Sequence, residues 1–437
     1  MSSNPYVTAI RNAGLVRRIG RVTQFFGLMV EANGPDVFLG EVCAIYSRSQ
    51  LAPVNAEVVG IRDGMVLLMP HGDLKGIALG SEVIASGHPL QVAVGDALLG
   101  RVVDALGRPL DGKPLPSLPV RMRLRADPIN PLARRKIDQV LETGVKAIDS
   151  FLTLAKGQRI GIFSGSGVGK STLLGMLARN VRTDVNVIAL VGERGREVPE
   201  FIERSLGPEG LKRSVVVVST SDQPAMLRSN AAFTATAIAE YFRDQKRDVL
   251  LIMDSVSRFA MAHREIGLAT GEPPTARGYT PSVFANMPKL LERCGAVESG
   301  GSITAMYTVL AEGDDFNDPI ADALRSILDG HIVLSRDLAN QRHFPSIDIL
   351  KSISRLMPNV VPAQHLNLAQ RGVACLSLLQ KNRDLIDIGA YKAGSNPQLD
   401  RAIALAPHFE EFLQQAVDAT VTRADAIGRL GQMLGEA

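Results

Sequence analysis

One stretch of the sequence carries residues whose types and spacing suit the binding of phosphate. Arg159–Leu174 holds a short apolar run, then a glycine-rich turn, then leucines at helical spacing. Glycines lack a Cβ, so the turn can point backbone N–H groups at phosphate oxygens beside the positive end of the following helix. Lys170 is placed to reach the β- and γ-phosphates, and the Ser171 hydroxyl to ligate Mg²⁺. The residues expected to hold nucleotide are Gly165, Ser166, Gly167, Val168, Gly169, Lys170, Ser171 and Thr172.

The turn departs at one position from the pattern G-x-x-x-x-G-K-[ST] that is typical of phosphate-binding loops. Ser164 stands where the first glycine is expected, and Gly165 beside it keeps a tight turn possible. The alternative is a glycine-rich turn between strand and helix that binds no nucleotide. The order Gly-Lys-Ser-Thr in this context favours a nucleoside triphosphate as the ligand.

Two acidic residues follow other apolar runs that are expected to be strands. Asp254 ends the run Val249–Met253. A buried carboxylate needs a cation or hydrogen bonds to offset its burial, so Mg²⁺ is its expected partner. Glu193 follows the run Val185–Val191, where a carboxylate can orient and polarise an attacking water. The alternatives are a helix cap for Asp254 and a surface ion-pair cluster for Glu193.

The composition is that of a globular protein with two or three domains. Its 437 residues exceed one ordinary core, and 46% of them are hydrophobic and 21% charged. The net charge of +3 is too small to predict nucleic acid or a membrane as a main partner. No secretory signal or membrane-spanning run is expected. The three cysteines, Cys43, Cys294 and Cys375, are odd in number and far apart, which is typical of a protein in a reducing cytoplasm and not of a disulfide framework. The spacing of the histidines does not suggest a metal site.

The N-terminal part predicts a barrel. Residues 1–15 indicate a short extension, and β-type segments separated by turn residues follow as far as residue 88. Asp63-Gly64 lies between two apolar runs and is a strong hairpin signal. Several short strands in about 70 residues favour a small closed barrel, because closure removes exposed edges. Residues 88–125 are rich in Gly and Pro and predict an extended connector.

The rest of the chain predicts a parallel sheet followed by helices. Unalternating apolar runs are typical of strands that helices cover on both faces. Such runs recur at Ile160–Phe163, Val185–Val191, Val215–Val218, Val249–Met253, Ile303–Leu310 and His331–Leu334. After Pro362 the strand signals vanish, and Phe409–Leu434 carries apolar residues at helical spacing.

Taken together, these motifs resemble those of the flagellar and virulence type III protein-export ATPases, which are similar to subunits of rotary ATP synthases. The resemblance covers about residues 18–434. Besides the glycine-rich turn it rests on the strings Gly100–Gly112, Gly192–Val198, Met253–Ala260, Ala262–Phe284, Glu312–Pro319 and Leu328–Arg336. It implies an α/β fold class: a RecA-like parallel-sheet P-loop ATPase core with an N-terminal small β-barrel and a C-terminal helical domain. The expected domains are 1–88 (extension and barrel), 89–362 (ATPase) and 363–437 (helical).

The resemblance also implies roles for single residues. Lys170 and Ser171 would bind phosphate and Mg²⁺. Glu193 would be the catalytic carboxylate and Asp254 the Walker B aspartate. Arg258 would be a second contact to phosphate.

Three further residues gain a role only from the resemblance. Arg355 falls where the family keeps an arginine finger that reaches into a neighbour's site. Phe344 and Tyr391 fall where aromatic rings hold the adenine. Family members often have Tyr in place of Phe344, and little is lost because stacking needs a π-face and no hydroxyl.

The implied function is Mg-dependent ATP hydrolysis coupled to export of flagellar proteins. One chain carries both Glu193 and Arg355, so a homohexamer is expected. The implied partners are a central stalk protein, which would meet the acidic loop Glu312–Pro319, a stator or regulator, an export gate, and substrates or chaperones. The implied location is cytoplasmic, at the inner-membrane face, with peripheral association only. The strings Asn317–Ile320 and Gly389–Ser395 favour a flagellar system over a virulence system.

Three other functions remain as alternatives. The first is a virulence export ATPase, and the second is a rotary-ATPase subunit that binds nucleotide without turning it over. A well-placed Glu193 would distinguish an enzyme from this non-catalytic subunit, because a non-catalytic site lacks such a carboxylate. The third is a hexameric nucleic-acid translocase, which needs a basic barrel face interleaved with aromatic residues. The barrel aromatics alternate like core residues, so no nucleic acid is expected; they are Phe25, Phe26, Phe38 and Tyr46.

Overall fold

The computed structural model describes residues 16–47, 52–311 and 318–435. The predicted extension 1–15 and residues 312–317 of the acidic loop lie outside the described residues. Within these ranges the chain forms a closed barrel, a large sheet between helices, and a C-terminal group of helices. The predicted α/β fold class with its N-terminal barrel and C-terminal helical part is therefore confirmed.

The strands of the described residues are numbered β1 to β19 in chain order. They are β1 (Ile19–Phe26), β2 (Met29–Asn33), β3 (Glu41–Ile45), β4 (Val54–Arg62), β5 (Met65–Pro70), β6 (Glu82–Pro89), β7 (Gln91–Val94), β8 (Arg101–Asp104), β9 (Val120–Arg123), β10 (Val140–Leu141), β11 (Leu154–Ala155), β12 (Arg159–Ser164), β13 (Val185–Glu193), β14 (Ser214–Thr220), β15 (Asp248–Asp254), β16 (Gly295–Ala296), β17 (Ser302–Leu310), β18 (Gly330–Leu334) and β19 (Ile347–Ser354).

The first six strands close into a barrel in the order β1-β2-β5-β4-β3-β6. The predicted hairpin is present, since Arg62 pairs with Met65 across a two-residue loop. Asp63 and Gly64 have φ angles of 51° and 77°, the left-handed conformation that a type I′ turn requires at both positions.

The barrel aromatics do not form its core, so that expectation was wrong. Phe26 is 63% exposed, and Phe25, Phe38 and Tyr46 are also exposed. The interior is filled instead by smaller side chains such as Val30. The alternation of buried and exposed residues in β1 ends at a register shift between Val22 and Gln24, after which residues 24–26 are exposed on both faces of the strand.

The central sheet has nine strands and carries the predicted phosphate-binding turn. Eight of them lie in the order β19-β18-β12-β17-β15-β13-β14-β8, and β16 pairs with β17. Strands β18 to β8 in this order run parallel, whereas β19 is antiparallel to β18. The carboxyl ends of β12, β13 and β15 therefore meet at one edge. All six predicted apolar runs are strands of this sheet.

The segment predicted as an extended connector contributes to this sheet. Its strand β8 extends the sheet edge beside β14, with Val102 opposite Val216. Strands β7 and β9 pair with each other nearby. The connector prediction was therefore wrong for these residues, although they include turns and short irregular stretches.

Helices cover both faces of the sheet and form the C-terminal part. The α-helices are Lys146–Phe151, Lys170–Asn180, Glu197–Glu200, Gly207–Lys212, Ala225–Asp244, Val256–Ala269, Pro281–Leu291, Pro319–Ile327, Arg336–Asn340, Met357–Val360, Ala363–Lys381, Arg383–Asp387, Pro397–Leu413 and Arg423–Met433, with a π-helix at Phe201–Leu206. Phe409 and Leu430 of the last two helices pack in one core with Phe151 and Ile162. None of the helices in the described ranges is long and apolar enough to cross a membrane.

Candidate active site

The glycine-rich turn joins β12 to the helix Lys170–Asn180, as the sequence predicts. Gly167 and Gly169 have φ angles of 76° and 89°, which favour glycine. Val168 is buried, and the Ser346 hydroxyl donates to its carbonyl oxygen at 2.6 Å. The turn is thus held from behind by the residue that precedes β19, and its concave side opens into a cavity.

Three charged side chains predicted to act together meet at this edge. The Lys170 ammonium contacts Asp254 Oδ1 and lies 3.4 Å from Glu193 Oε1. The side chain of Asp254 is 5% exposed, and those of Lys170 and Glu193 are 13% and 14% exposed. One cation is thus shared by two carboxylates in a buried cluster beside the glycine-rich turn.

Burial and charge shift the pKa values of this cluster. Burial alone would lower the pKa of Lys170, but the carboxylates of Asp254 and Glu193 outweigh it and hold the pKa above its usual value. Burial raises the pKa of Glu193, and the nearby charge of Asp254 raises it further, against the opposing effect of Lys170. A carboxyl group with a raised pKa is better suited to accept a proton near neutral pH than an ordinary glutamate is.

A glycine not singled out in the sequence sets the position of Glu193. The pairing of β13 shifts register between Val191 and Glu193, and the intervening Gly192 has a φ of 70°. A Cβ on Gly192 would lie 2.9 Å from Arg258 Cβ. Glycine therefore lets the strand end approach the helix that carries Arg258, and the bulge turns Glu193 toward Lys170.

Arg258 lies at the start of the helix Val256–Ala269 and lines the same cavity. The hydroxyl of Ser255 caps this helix by accepting from Arg258 N at 3.3 Å. The side-chain Nε of Arg258 is buried and has no hydrogen-bond partner within the described parts of the chain. A guanidinium whose buried Nε is an unused donor fits an anionic ligand, as the predicted phosphate contact would require.

The cavity has a volume of about 950 Å³, and its lining carries more basic than acidic side chains. It contains the P-loop, Glu193 and Arg258. Five further arginines, which were given no role from the sequence, also line it: Arg194, Arg196, Arg264, Arg277 and Arg336. All five lie in strings that carry the family resemblance, but only the fold brings them around one cavity. This charge suits a polyphosphate.

The residues around the cavity fit a hard divalent cation. The groups offered by Ser171 and Asp254 are oxygens, which Mg²⁺ prefers. In the described ranges no cluster of three or more His, Cys, Asp or Glu is placed to hold a metal ion. Mg²⁺ in nucleotide sites is bound by one or two protein oxygens together with phosphate oxygens, so this sparse donor set is the expected one.

The structure places the two predicted adenine residues differently. The Phe344 ring lies against the P-loop, since a Cβ on Gly169 would be 3.3 Å from it. The Tyr391 hydroxyl instead donates at 2.8 Å to Asp400 in the C-terminal helical part. Among the described residues, the side-chain hydrogen bonds of Tyr391 go to Asn396 and Asp400 and not to the P-loop. The C-terminal part does approach Phe344 at Gln415, whose backbone N–H donates to the Phe344 carbonyl at 2.9 Å.

Arg355 lies near the amino end of β12, whereas the P-loop of its own chain follows the carboxyl end of that strand. Its N–H donates to Asp329 O, and Asp329 binds the Arg159 backbone and side chain at the start of β12. The P-loop follows Ser164, the end of β12. At a rise of about 3.3 Å per residue, the first and last residues of β12, Arg159 and Ser164, are roughly 16 Å apart. The guanidinium donates to the carbonyls of Leu328 and Arg325.

Comparison with known proteins matches three successive parts of the chain to three family domains. The beta-barrel domain of the ATP synthase alpha/beta family matches residues 22–87, and its nucleotide-binding domain matches 144–354. The C-terminal domain of the type III secretion ATPase EscN matches 361–432. A "Flagellum-specific ATP synthase" of Bacillus subtilis (strain 168) is 54% identical over 436 residues, 100% of this chain and 99% of the relative. This chain belongs to the type III export ATPases.

Solved structures resemble this export ATPase over most of its length. The assembled ATPase EscN of the enteropathogenic E. coli type III secretion system is 46% identical with a TM-score of 0.90. EscN in complex with its central stalk EscO is 45% identical with a TM-score of 0.88. Each match covers 95% of this chain and 100% of the other. The predicted enzyme class, an ATPase, follows from this membership.

Replacing Phe344 of this export ATPase by alanine is expected to raise the KM for ATP and spare kcat. The ring borders the P-loop, whereas the adenine lies far from the reacting phosphate. Loss of one base-stacking contact costs roughly 1–3 kcal/mol, or about 5- to 150-fold in KM. Steady-state kinetics of Phe344→Ala would be compared with Phe344→Tyr, which keeps the π-face and the parental KM. A collapse of kcat in the alanine variant would mean that the ring supports the P-loop and not the base.

Proposed function

We propose that this chain hydrolyses Mg-ATP and that turnover drives export of flagellar proteins through a type III apparatus. The observation that carries the hydrolytic part is the Lys170 ammonium between Asp254 and Glu193, with Lys170 and Glu193 lining a basic cavity. The flagellar part is supported by the name of the Bacillus subtilis relative. Complementation of a flagellar export-ATPase deletion by this chain, scored as motility and filament assembly, tests both.

Each residue of the site has a separate task in this mechanism. The P-loop N–H groups and Lys170 bind the β- and γ-phosphates and neutralise their charge. Ser171 and Asp254 would hold Mg²⁺, which when bound draws charge from the phosphate oxygens. Glu193 orients the attacking water and accepts its proton. Arg258 contacts the phosphate from the facing helix.

Lys170→Ala is expected to weaken nucleotide binding and hydrolysis together. The ammonium neutralises phosphate charge in the ground state and in the transition state alike, so both are lost. Removal also leaves Asp254 and Glu193 facing each other without their shared cation, which further repels phosphate. Calorimetric titration with ATP and a turnover assay measure the two effects.

Lys156→Ala is the matched control for this change. Lys156 pairs with Asp248 at the opposite end of β15 from Asp254. It thus removes a comparable lysine–aspartate pair from the same strand without touching the cavity, and ATP affinity is expected to stay parental. Unchanged affinity in Lys170→Ala would contradict the proposed P-loop geometry.

We propose that the chain acts as a homohexamer whose interface completes the site. Support comes from Arg355, which lies away from its own P-loop, and from the related EscN, whose structure is of an assembled ATPase. Exposed apolar residues of the barrel, such as Phe26 and Leu39, offer a surface for contacts between neighbouring barrels. In this proposal the division at residues 88/89 and 362/363 separates a ring-closing barrel, the ATPase domain, and a helical domain facing the export gate.

The remaining partners and the location are proposals of the same kind. The related EscN binds a central stalk, EscO, and an equivalent stalk would enter this ring's channel. Asp314 and Asp315 are its proposed contacts and lie outside the described residues. A stator or regulator, an export gate, and substrates or chaperones would bind at the cytoplasmic face of the inner membrane, with peripheral association only. A pull-down from cells that carry the tagged chain would identify these partners.

The second candidate is the ATPase of a virulence type III system, which EscN's likeness to this chain favours. The same pull-down separates the two, because flagellar and virulence components differ. The non-catalytic alternative is disfavoured by the geometry of Glu193 beside Lys170. Stimulation of turnover by RNA is not expected, and its observation would favour the translocase alternative.

A further inference from the structure

A threonine in the middle of the sheet contacts the same carboxylate as the P-loop lysine. Thr308 lies in β17, between β12, which leads to the P-loop, and β15, which ends at Asp254. Its side chain is fully buried. Thr308 Oγ1 is 2.7 Å from Asp254 Oδ1 and 3.3 Å from Met253 O.

The Thr308 hydroxyl has one proton and two acceptors within reach, and the carboxylate is the better acceptor. It carries charge, and its distance is the shorter of the two and close to that of a charge-assisted bond. Thr308 therefore donates to Asp254. Oδ1 receives this hydroxyl and the Lys170 ammonium, so two donors fix the rotation of the carboxylate.

The two donors differ in how firmly they are held. Lys170 reaches Asp254 through a long side chain whose function is to meet phosphate, whereas the Thr308 hydroxyl is fixed by a central strand paired on both sides. When phosphate draws the ammonium away, Thr308 still holds Oδ1. The orientation of Asp254 then depends on Thr308 at the stage when the metal must bind.

We propose that Thr308 is a positioning residue for Mg²⁺ binding, whose hydroxyl fixes the orientation in which Asp254 meets the ion. This inference rests on the proposed function, in which Asp254 holds Mg²⁺. Groups that hydrogen-bond to a metal ligand typically change metal affinity by about 10- to 100-fold when they are removed. Thr308→Val removes the hydroxyl and nearly keeps the shape, so an effect of this size is expected.

The same strand offers a matched control. Thr304 lies four residues earlier in β17, is equally buried, and accepts from Gly157 N at 2.8 Å. It therefore has a structural hydrogen bond at the end of the strand that is distant from the cavity. Thr304→Val makes the same chemical change in the same strand without contact to Asp254.

Equilibrium binding of a fluorescent ATP analogue would be measured in EDTA and across a Mg²⁺ titration. For Thr308→Val we expect a 10- to 100-fold higher Mg²⁺ midpoint, with affinity in EDTA unchanged. Thr308→Ser is expected to restore the parental midpoint because it retains the donor. Thr304→Val is expected to keep the parental midpoint even if its melting temperature falls.

Two results would overturn the inference. One is a parental Mg²⁺ midpoint in Thr308→Val, and the other is an equal rise in Thr304→Val, which would indicate a general loosening of β17. If Thr308→Val does not fold, Thr308→Ala takes its place under the same criteria. A parent that binds the analogue with no Mg²⁺ dependence would refute the proposed metal role of Asp254, and this inference with it. That result is distinguishable because it appears before any substitution is made.

Discussion

Glu193→Gln is expected to bind Mg-ATP nearly as well as the parent and to hydrolyse it at least about 10²-fold more slowly. An amide keeps the shape of the carboxylate but cannot take a proton from water. The bulge at Gly192 holds Glu193 beside Lys170, so the substitution alters the reacting group without moving the strand that carries it. Binding should survive because the P-loop, Lys170 and Arg258 supply the phosphate contacts.

Single-turnover hydrolysis and equilibrium nucleotide binding separate the two effects. Glu209→Gln serves as the control, since Glu209 is exposed, pairs with Lys212 and lies outside the cavity lining. A fall in turnover of only two- or three-fold in Glu193→Gln would make Glu193 a structural residue.

The pH profile gives a second check on Glu193. A general base must be ionised, so kcat/KM falls as the pH drops through the pKa of the free enzyme's base. Burial and the charge of Asp254 raise the pKa of Glu193, so we expect kcat/KM to fall at a higher pH than an ordinary glutamate would cause. The residual activity of Glu193→Gln should lack this fall. If kcat/KM of the parent fell only in the ordinary pKa range of glutamate, the assignment would be contradicted.

The sequence predicts most of the sheet and much of the site because the underlying physics is local. Strands that helices cover on both faces read as continuous apolar runs, and Val249–Met253 is one of them. Ligand groups of such sheets follow the strand ends, which is why their positions made Asp254 and Glu193 candidates before the resemblance gave them roles. The P-loop combines both signals with glycines that only a backbone cradle requires.

What the sequence did not predict depends on contacts between distant segments. Strand β8 has four residues in a Gly- and Pro-rich region, and only its pairing with β14 identifies it as part of the sheet. In the sequence, Thr308 is a single hydroxyl residue within an apolar run and gives no sign of a role. Its contact with Asp254 exists only because β17 pairs with β15. The exposure of Phe26 follows a register shift in β1 between Val22 and Gln24, which the alternation of the sequence does not reveal. Tyr391 received its role by resemblance, and its contacts lie within the C-terminal part.

Arg355→Ala is expected to reduce turnover by roughly 10³- to 10⁵-fold while sparing ATP binding, the scale on which arginine fingers act in phosphoryl transfer. The guanidinium would stabilise the distribution of charge that develops only as the γ-phosphoryl group is transferred. Its loss is therefore expected to slow turnover much more than it weakens binding. Arg401→Ala is the control, because Arg401 also donates to a backbone carbonyl, that of Leu434, but within the C-terminal helices. A loss below about ten-fold in Arg355→Ala would remove it from the reaction.

In the proposed ring, Arg355 acts on the neighbouring subunit's site and not on its own. It lies near the amino end of β12, whereas its own P-loop follows the carboxyl end of the same strand. An isolated chain is therefore expected to bind ATP and to turn it over poorly. Specific activity should rise steeply with protein concentration as rings form, because head-to-tail contacts bring each Arg355 to the next subunit's phosphate. Dilute monomer as active per chain as concentrated protein would contradict an action in trans.

Mixing two inactive variants tests the same prediction within the ring. Glu193→Gln subunits retain Arg355, and Arg355→Ala subunits retain Glu193. In a mixed ring, some interfaces place an intact Glu193 on one side and an intact Arg355 on the other, so part of the parental activity should return. Glu193→Gln mixed with the double variant carries no such interface and should stay inactive. If the complementary mixture also stayed inactive while sedimentation showed mixed rings, Arg355 would not complete the neighbour's site.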